Sequence, residues 1–285
     1  METATIDTIR TRYGTFAVDR IQDKKIAKAL QSNTYPNEIL LEMTRHFVNT
    51  ESTVIDIGAH IGTFAIPLAT CVKKIIAFEP SPGHFTLLSR NADANGIHLQ
   101  LINKALGSVE GRGALIVRNA SNAGTTTLVA GDTTTISTLD AEVTHADFIK
   151  LDVEGMELEV LRGGVKLIER ARPVILFEVH LSQLRAHGVS PRALEEFLTE
   201  RGYRLYLPLE NKNGALARVR SITLLTTFIA PRAWFCFSDS APFDLVAVPQ
   251  ERVLPCPAYG FTTALFDALK NNLAVKMRRL RALVH

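Results

Sequence analysis

The run Val54-Ile55-Asp56-Ile57-Gly58-Ala59-His60-Ile61-Gly62, with Ile75-Ile76-Ala77-Phe78-Glu79-Pro80 after it, decides the fold. Each apolar run is short and rich in β-branched residues, as a strand covered on both faces requires. The first ends in a glycine turn and the second in an acid, the layout of a nucleoside site at the rim of a parallel sheet. Glu79 lies 21 residues after Gly58, about where an acid accepts hydrogen bonds from a ribose diol. Glycine lets the turn bend sharply and lets backbone approach a ligand.

The spacing within the turn separates two kinds of cofactor. A dinucleotide fingerprint has glycines at positions one, three and six, where backbone meets a pyrophosphate. Here the third position is His60 and the sixth is Thr63. A G-x-x-x-G turn headed by Asp56 suits a ligand that lacks phosphates and carries an ammonium group, and S-adenosylmethionine is such a ligand. NAD and FAD fit less well, and a turn that binds nothing is the plain alternative.

The rest of the chain extends this pattern. Strands are expected over 53–57, 74–79, 98–102, 147–152 and 174–180, with a helix over 83–95 that stops at Asn95-Gly96. Leu158, Leu161, Val165 and Ile168 recur on one helical face after Gly155. Such alternation predicts a parallel sheet with helices on both faces and ligands beyond the strands' carboxyl ends. Before it, residues 1–50 suggest a hairpin around Gly14 to Val18 followed by helices, one starting at Pro36. Residues 105–145 interrupt the alternation, with strands at 114–117 and 133–139 around a polar loop at 119–127. Two further strands are expected at 203–207 and 243–248. The predicted division is an extension at 1–50, a main domain at 51–250 with an inserted loop at 209–241, and an amphipathic helix within 251–285. In that last segment Phe261, Leu265, Leu269, Leu273 and Met277 repeat every four residues.

Composition excludes several classes. With 46% apolar and 21% charged residues the chain is not disordered. A formal charge of +3 does not call for nucleic acid. Three scattered cysteines, Cys71, Cys236 and Cys256, fit neither a metal site nor a disulfide framework and suit the cytoplasm. The expectation is a chain with no leader and no membrane span, since no run of about 18 apolar residues occurs.

A second constellation is Ile149-Lys150-Leu151-Asp152-Val153-Glu154-Gly155-Met156-Glu157, where an apolar strand delivers Asp152 and Glu154 to its end. A third is Leu176-Phe177-Glu178-Val179-His180. Residues two apart on a strand point the same way. An otherwise apolar strand ending in Glu and His is not expected to place them in a dry core.

These blocks, with Asn103-Lys104-Ala105-Leu106-Gly107 and Thr135 to Asp140, make residues 50–185 resemble the FkbM family of methyltransferases. The resemblance implies an α/β fold of the class I methyltransferase (Rossmann-like) type, mostly parallel with an antiparallel last strand and helices on both faces. It implies S-adenosyl-L-methionine as cofactor and O-methylation of a small molecule, natural product or sugar. Asp56, Gly58, Ala59, His60 and Gly62 would then surround the methionine moiety, and Glu79 with Pro80 would meet the ribose. Asn103, Lys104 and Ala105 would flank the adenine, and Asp152 and Glu154 would orient the cofactor. His180 is the group suited to take a hydroxyl proton near neutral pH, with Asp152 and Glu178 beside it. A divalent metal at Asp152, Glu178 and His180 is the alternative. Histidine there suits zinc, manganese or iron better than magnesium, and no metal is favoured. The expected partner is a small-molecule or glycan acceptor, with no nucleic acid. Trp234, Phe235 and Phe237 suit an acceptor lid, core packing or a homodimer contact equally. The rival readings are N-methylation on the same scaffold and a non-catalytic or regulatory protein that keeps the fold.

Overall fold

The computed structural model describes residues 5–32, 35–117, 126–208, 216–219, 222, 242–255 and 258–259. Strands β1 (Ile6–Thr11) and β2 (Gly14–Asp19) form an antiparallel hairpin, followed by helices α1 (Lys24–Gln31) and α2 (Glu38–Arg45). The alternation then begins with β3 (Thr53–Ile57), α3 (Ala65–Leu68), β4 (Lys74–Phe78), α4 (Pro82–Ala94) and β5 (Gln100–Ile102). An insert follows: β6 (Ala105–Leu106), β7 (Gly111–Val117), β8 (Thr126–Ala130), β9 (Thr134–Ser137) and α5 (Leu139–Glu142). The chain returns with β10 (Phe148–Leu151), α6 (Glu157–Arg162), α7 (Val165–Ala171), β11 (Val174–Val179), α8 (Leu181–Ala186) and α9 (Pro191–Glu200). The last strands are β12 (Tyr203–Pro208), β13 (Leu216–Val219), β14 (Phe243–Pro249) and β15 (Ala258–Tyr259).

The central sheet runs β15-β13-β12-β14-β11-β10-β3-β4-β5. From β5 to β11 every pairing is parallel, and β14 lies antiparallel between β11 and β12. Strand order reverses between β3 and β10, so their carboxyl ends open a crevice where a ligand fits. Alternation of side chains divides the core into two layers. Ile55, Ile57, Ile149, Leu151, Ile175 and Phe177 face α6, α7 and α9. Val54, Phe148, Val174 and Leu176 face the other way, against Phe16, Leu41, Met43 and Leu88. The hairpin therefore packs into the same core layer as the sheet.

Two asparagines tie that hairpin down. Asn91 accepts from the Ala17 N–H at 2.6 Å and donates to the Ala17 carbonyl at 3.1 Å, and Asn95 does the same with Thr15 at 2.8 and 2.7 Å. Side chains four apart on α4 thus match residues two apart on β2, and they satisfy a strand edge that otherwise lacks a partner.

Several sequence expectations need correction. The apolar face after Gly155 belongs to two helices, broken at Gly163-Gly164, because α6 and α7 pack past close neighbours there. A Cβ at Gly163 would lie 2.0 Å from the Gly107 carbonyl oxygen. The segment 209–241 is not all loop, since Leu216–Val219 pairs with β12. The expected strand at 133–139 stops at Ser137, and Leu139 opens α5. Thr126 and Thr127, placed in the polar loop, belong to β8. Trp234, Phe235, Phe237 and the repeat from Phe261 to Met277 lie outside the described residues. Among those described, no helix is long and apolar enough to cross a membrane.

Candidate functional site

Strands β3, β4, β10 and β11 end around a single cavity of about 400 Å³, within the range of small-molecule and cofactor sites. Its lining includes Gly58, Ala59 and His60 from the first turn and Glu79 and Pro80 from the second. Lys104, Ala105, Asp152, Glu154, Glu178 and His180 complete the predicted set that it brings together. Leu115 and Leu128 of the inserted sheet and Met156 add apolar surface.

The turn after β3 is built by its neighbours. Gly58 N and Ala59 N both donate to the Phe78 carbonyl at 3.0 Å, prolonging the β3–β4 ladder. Gly58 has φ +79°, and a Cβ there would sit 1.9 Å from the Asp152 carbonyl oxygen. Its glycine is thus required by the approach of β10's end, not by a ligand. Gly62 is absent from the cavity lining; a Cβ on it would meet Ile66 and Leu88 side chains at 2.8 Å. Sequence reasoning set the backbone of both glycines around a ligand; Gly58 lines the cavity and Gly62 does not, and protein atoms fill the space where either Cβ would lie.

Glu79 is buried, and its carboxylate accepts from His60 N and Ser81 N, both at 2.8 Å. It joins the ends of β3 and β4 while still lining the cavity. Asn103 lies outside the lining; its amide donates to the Glu79 and Pro80 carbonyls at 2.7 and 3.2 Å. It supports the acid's backbone. Lys104 pairs with Glu142 at 2.6 Å.

Asp56 also stays outside the lining, wholly buried, with Lys150 beside it. The two are opposite each other in the β3–β10 register and share a face. Lys150 Nζ lies 3.3 Å from Asp56, 3.4 Å from Asp152 and 3.2 Å from the Gly58 carbonyl. Burial disfavours its charge, but Asp56 and Asp152 outweigh that and hold its pKa above the ordinary lysine value. Sequence reasoning passed over Lys150. The available signal was a cation inside the apolar strand Phe148-Ile149-Lys150-Leu151, which must be paired to be buried.

Beyond β10 and β11 the period-two argument no longer sets direction. β10 ends at Leu151, and Glu154 sits in a left-handed turn at φ +56°, bonded to Gln183. β11 ends at Val179, and His180 is the residue before α8, its Nδ1 3.1 Å from the Ser182 hydroxyl. Burial, with the charge of Lys25 across the cavity, lowers the His180 pKa below 6.5. Glu178 faces Asp244 across the β11–β14 register, and both lie near Asp152. Burial and those like charges raise Glu178 far above the carboxylate range and push Asp244 up to about 7. Burial also pushes Glu157 up to about 7, although Gly155 N and Val153 N donate to it at 3.1 and 3.4 Å.

These raised carboxyls fix a sign. For Glu157 and Asp244 the folded-state pKa lies above the unfolded value, so their stabilisation is complete below about pH 4 and is lost as pH rises through about 7. His84, also raised, acts in the same direction at higher pH. The ligand-free protein should therefore melt several degrees lower at pH 8.5 than at pH 6. Calorimetric scans with a flat or rising profile over that interval would contradict this assignment.

On the other side of the turn, Asp23 lies 1% exposed between two imidazoles. Its Oδ1 is 3.0 Å from His60 Nε2, and its Oδ2 is 3.3 Å from His84 Nε2. Neither Asp23 nor His84 was singled out from the sequence, because they are 61 residues apart and belong to no shared motif.

The FkbM methyltransferase domain model matches residues 56–205, 150 of the 285 residues. The hexuronic acid methyltransferase AglP of Haloferax volcanii is 32% identical over 155 residues, 51% of this chain and 60% of that protein. The chain thus spans about 60% of that relative's length. Among solved structures, the methyltransferase FkbM of Methylobacillus flagellatus KT aligns with 80% of this chain and 56% of its own, at 15% identity and TM-score 0.42. The tRNA m1G37 methyltransferase of M. jannaschii aligns with 86% of this chain and 56% of its own, at 12% identity and TM-score 0.43. With more than half of its residues matched by the domain model, and with the motif-bearing strand ends meeting in one cavity, the chain belongs to the FkbM family of methyltransferases.

Proposed function

We propose that this chain is an S-adenosylmethionine-dependent methyltransferase that acts on a sugar hydroxyl, with an acidic sugar as the preferred acceptor. The observation that carries the reading is the shared cavity: the Gly58–His60 turn and Glu79 line one side, and Asp152, Glu178 and His180 line the other. The residues fit the cofactor. Glu79 offers carboxylate oxygens for a ribose diol, and Asp152 and Glu154 offer negative charge for an ammonium and a sulfonium. When bound, S-adenosylmethionine supplies an electrophilic methyl group.

The chain's own residues supply alignment and proton removal. His180 stays neutral near pH 7 because its pKa is lowered, so it can accept a proton from the acceptor hydroxyl. Its Nδ1 lies 3.1 Å from the Ser182 hydroxyl; in the tautomer whose Nδ1–H donates to that oxygen, Nε2 is the accepting atom. Lys25, exposed at the rim and close enough to depress His180, gives an acidic acceptor a cation. Similarity to a hexuronic acid methyltransferase supports the sugar class.

The test is methyl transfer from labelled S-adenosylmethionine to glycans ending in hexuronic acid, neutral hexose or amino sugar. An alkali-stable methyl ether, formed fastest on the hexuronic acid, is expected. Transfer to nitrogen, or an alkali-labile methyl ester alone, would overturn the hydroxyl assignment. A further expected result concerns pH. The acidic limb of kcat should fall below pH 6.5, and His180→Gln should lower kcat about a hundredfold or more and remove that limb. An unchanged limb in the variant would assign the titrating group elsewhere.

A further inference from the structure

We propose that Asp23, His60 and His84 form a site for a divalent transition-metal ion of the zinc class, which clips the amino-terminal segment to the cofactor turn. The ligating atoms of the three side chains all lie within 4.8 Å of one another. A tetrahedral zinc site with bonds of roughly 2.0–2.2 Å places neighbouring ligand atoms about 3.3 Å apart. His60 Nε2 stands 3.0 Å from Asp23 Oδ1 and His84 Nε2 3.3 Å from Asp23 Oδ2, so each imidazole is already about that far from one oxygen of the carboxylate.

Three observations point to an ion instead of a simple hydrogen-bonded triad. First, Asp23 Oδ2 is buried and makes no hydrogen bond of regular geometry, although His84 Nε2 faces it. A buried carboxylate oxygen left in that state is costly, and a cation between it and the imidazoles would satisfy it. Second, the other ring nitrogen of His84 lies 3.9 Å from Glu79 Oε1, beyond hydrogen-bond reach but close enough for that negative charge to favour a cation on the ring. Third, the set is pre-formed on three separate segments. Asp19 accepts from Ile21 N and Gln22 N at 2.9 and 3.2 Å and fixes the turn that presents Asp23. His60 is held at φ +52° with its N–H on Glu79. His84 sits in the first turn of α4, whose Ser81 cap accepts from its N–H.

Two imidazoles and one carboxylate suit zinc, manganese, iron, cobalt or nickel, not magnesium or calcium, which favour oxygen ligands. His60 and His84 line the cavity while Asp23 stands behind them, so the remaining coordination position faces the cavity. This site is separate from the Asp152, Glu178 and His180 set that the sequence offered for a metal. It does not depend on the identity of the acceptor.

The test is a calorimetric titration of the chelator-stripped, full-length protein with zinc chloride, with magnesium chloride as the control. One zinc ion per chain with micromolar or tighter Kd, no heat from magnesium, and a zinc-dependent rise in melting temperature are expected. Asp23→Asn and His84→Gln should each weaken zinc about a hundredfold or more. Absence of stoichiometric zinc binding to the wild-type protein would overturn the proposal. So would a zinc affinity unchanged in both variants. Should the variants fail to fold, anomalous scattering at the zinc edge from wild-type crystals decides: a peak between these three side chains supports the site, and its absence there overturns it. S-adenosylhomocysteine binding, measured on the same samples, reports separately on the methyltransferase reading.

Discussion

Lys150→Met should be among the most destabilising single substitutions in this protein, lowering stability by about 3–5 kcal/mol. The ammonium neutralises wholly buried Asp56, contacts Asp152 and donates to the Gly58 carbonyl. Methionine fills much the same space, so packing survives. What remains is an unpaired carboxylate in the sheet, which must either be protonated or draw in water. In a chain of this size that corresponds to a fall in melting temperature on the order of 10 °C. The double variant Asp56→Asn, Lys150→Met should recover much of the loss, because removing both charges of a buried pair is commonly near neutral. A single variant melting within a degree or two of wild type would show that the ion pair does not hold the strand ends together.

The second large effect concerns Glu79. Its carboxylate receives two backbone N–H groups, His60 and Ser81, and lines the cavity where the ribose is assigned. Hydrogen bonds to charged groups are worth about 1.5–3 kcal/mol each. Glu79→Ala therefore loses the ribose acceptor and slackens the turn together. Affinity for S-adenosylhomocysteine should fall about a hundredfold or more. His180→Ala should leave that affinity within a few-fold while lowering kcat about a hundredfold or more. Equal losses of binding and turnover in both variants would refute this division of labour.

The fold was legible because its signals are local. Strands 53–57, 174–180 and 243–248 are runs of Val, Ile, Leu and Phe, buried on both faces, and their bounds were recovered to within a residue. Glu79, Asp152, Glu178 and His180 were legible as well, since each ends an apolar run where a polar side chain needs a cleft. What escaped was fixed by tertiary approach. The need for Gly58 comes from the Asp152 carbonyl, and that for Gly62 from Leu88 together with nearby Ile66; Asp152 and Leu88 are distant in sequence. Lys150 was read past because a single cation in a motif looks solvated until its register partner Asp56 is known. Asp23 and His84 became partners only when the hairpin docked through Asn91 and Asn95 onto α4. The insert at 105–137 forms its own sheet from Thr- and Gly-rich strands too weakly patterned to assign their pairing.

The most direct measurement is a crystal structure of this chain with S-adenosylhomocysteine. The account predicts the nucleoside within the cavity, its ribose hydroxyls on the Glu79 carboxylate and its sulfur toward Asp152 and His180. A nucleoside bound elsewhere, or one whose ribose makes no contact with Glu79, would contradict it.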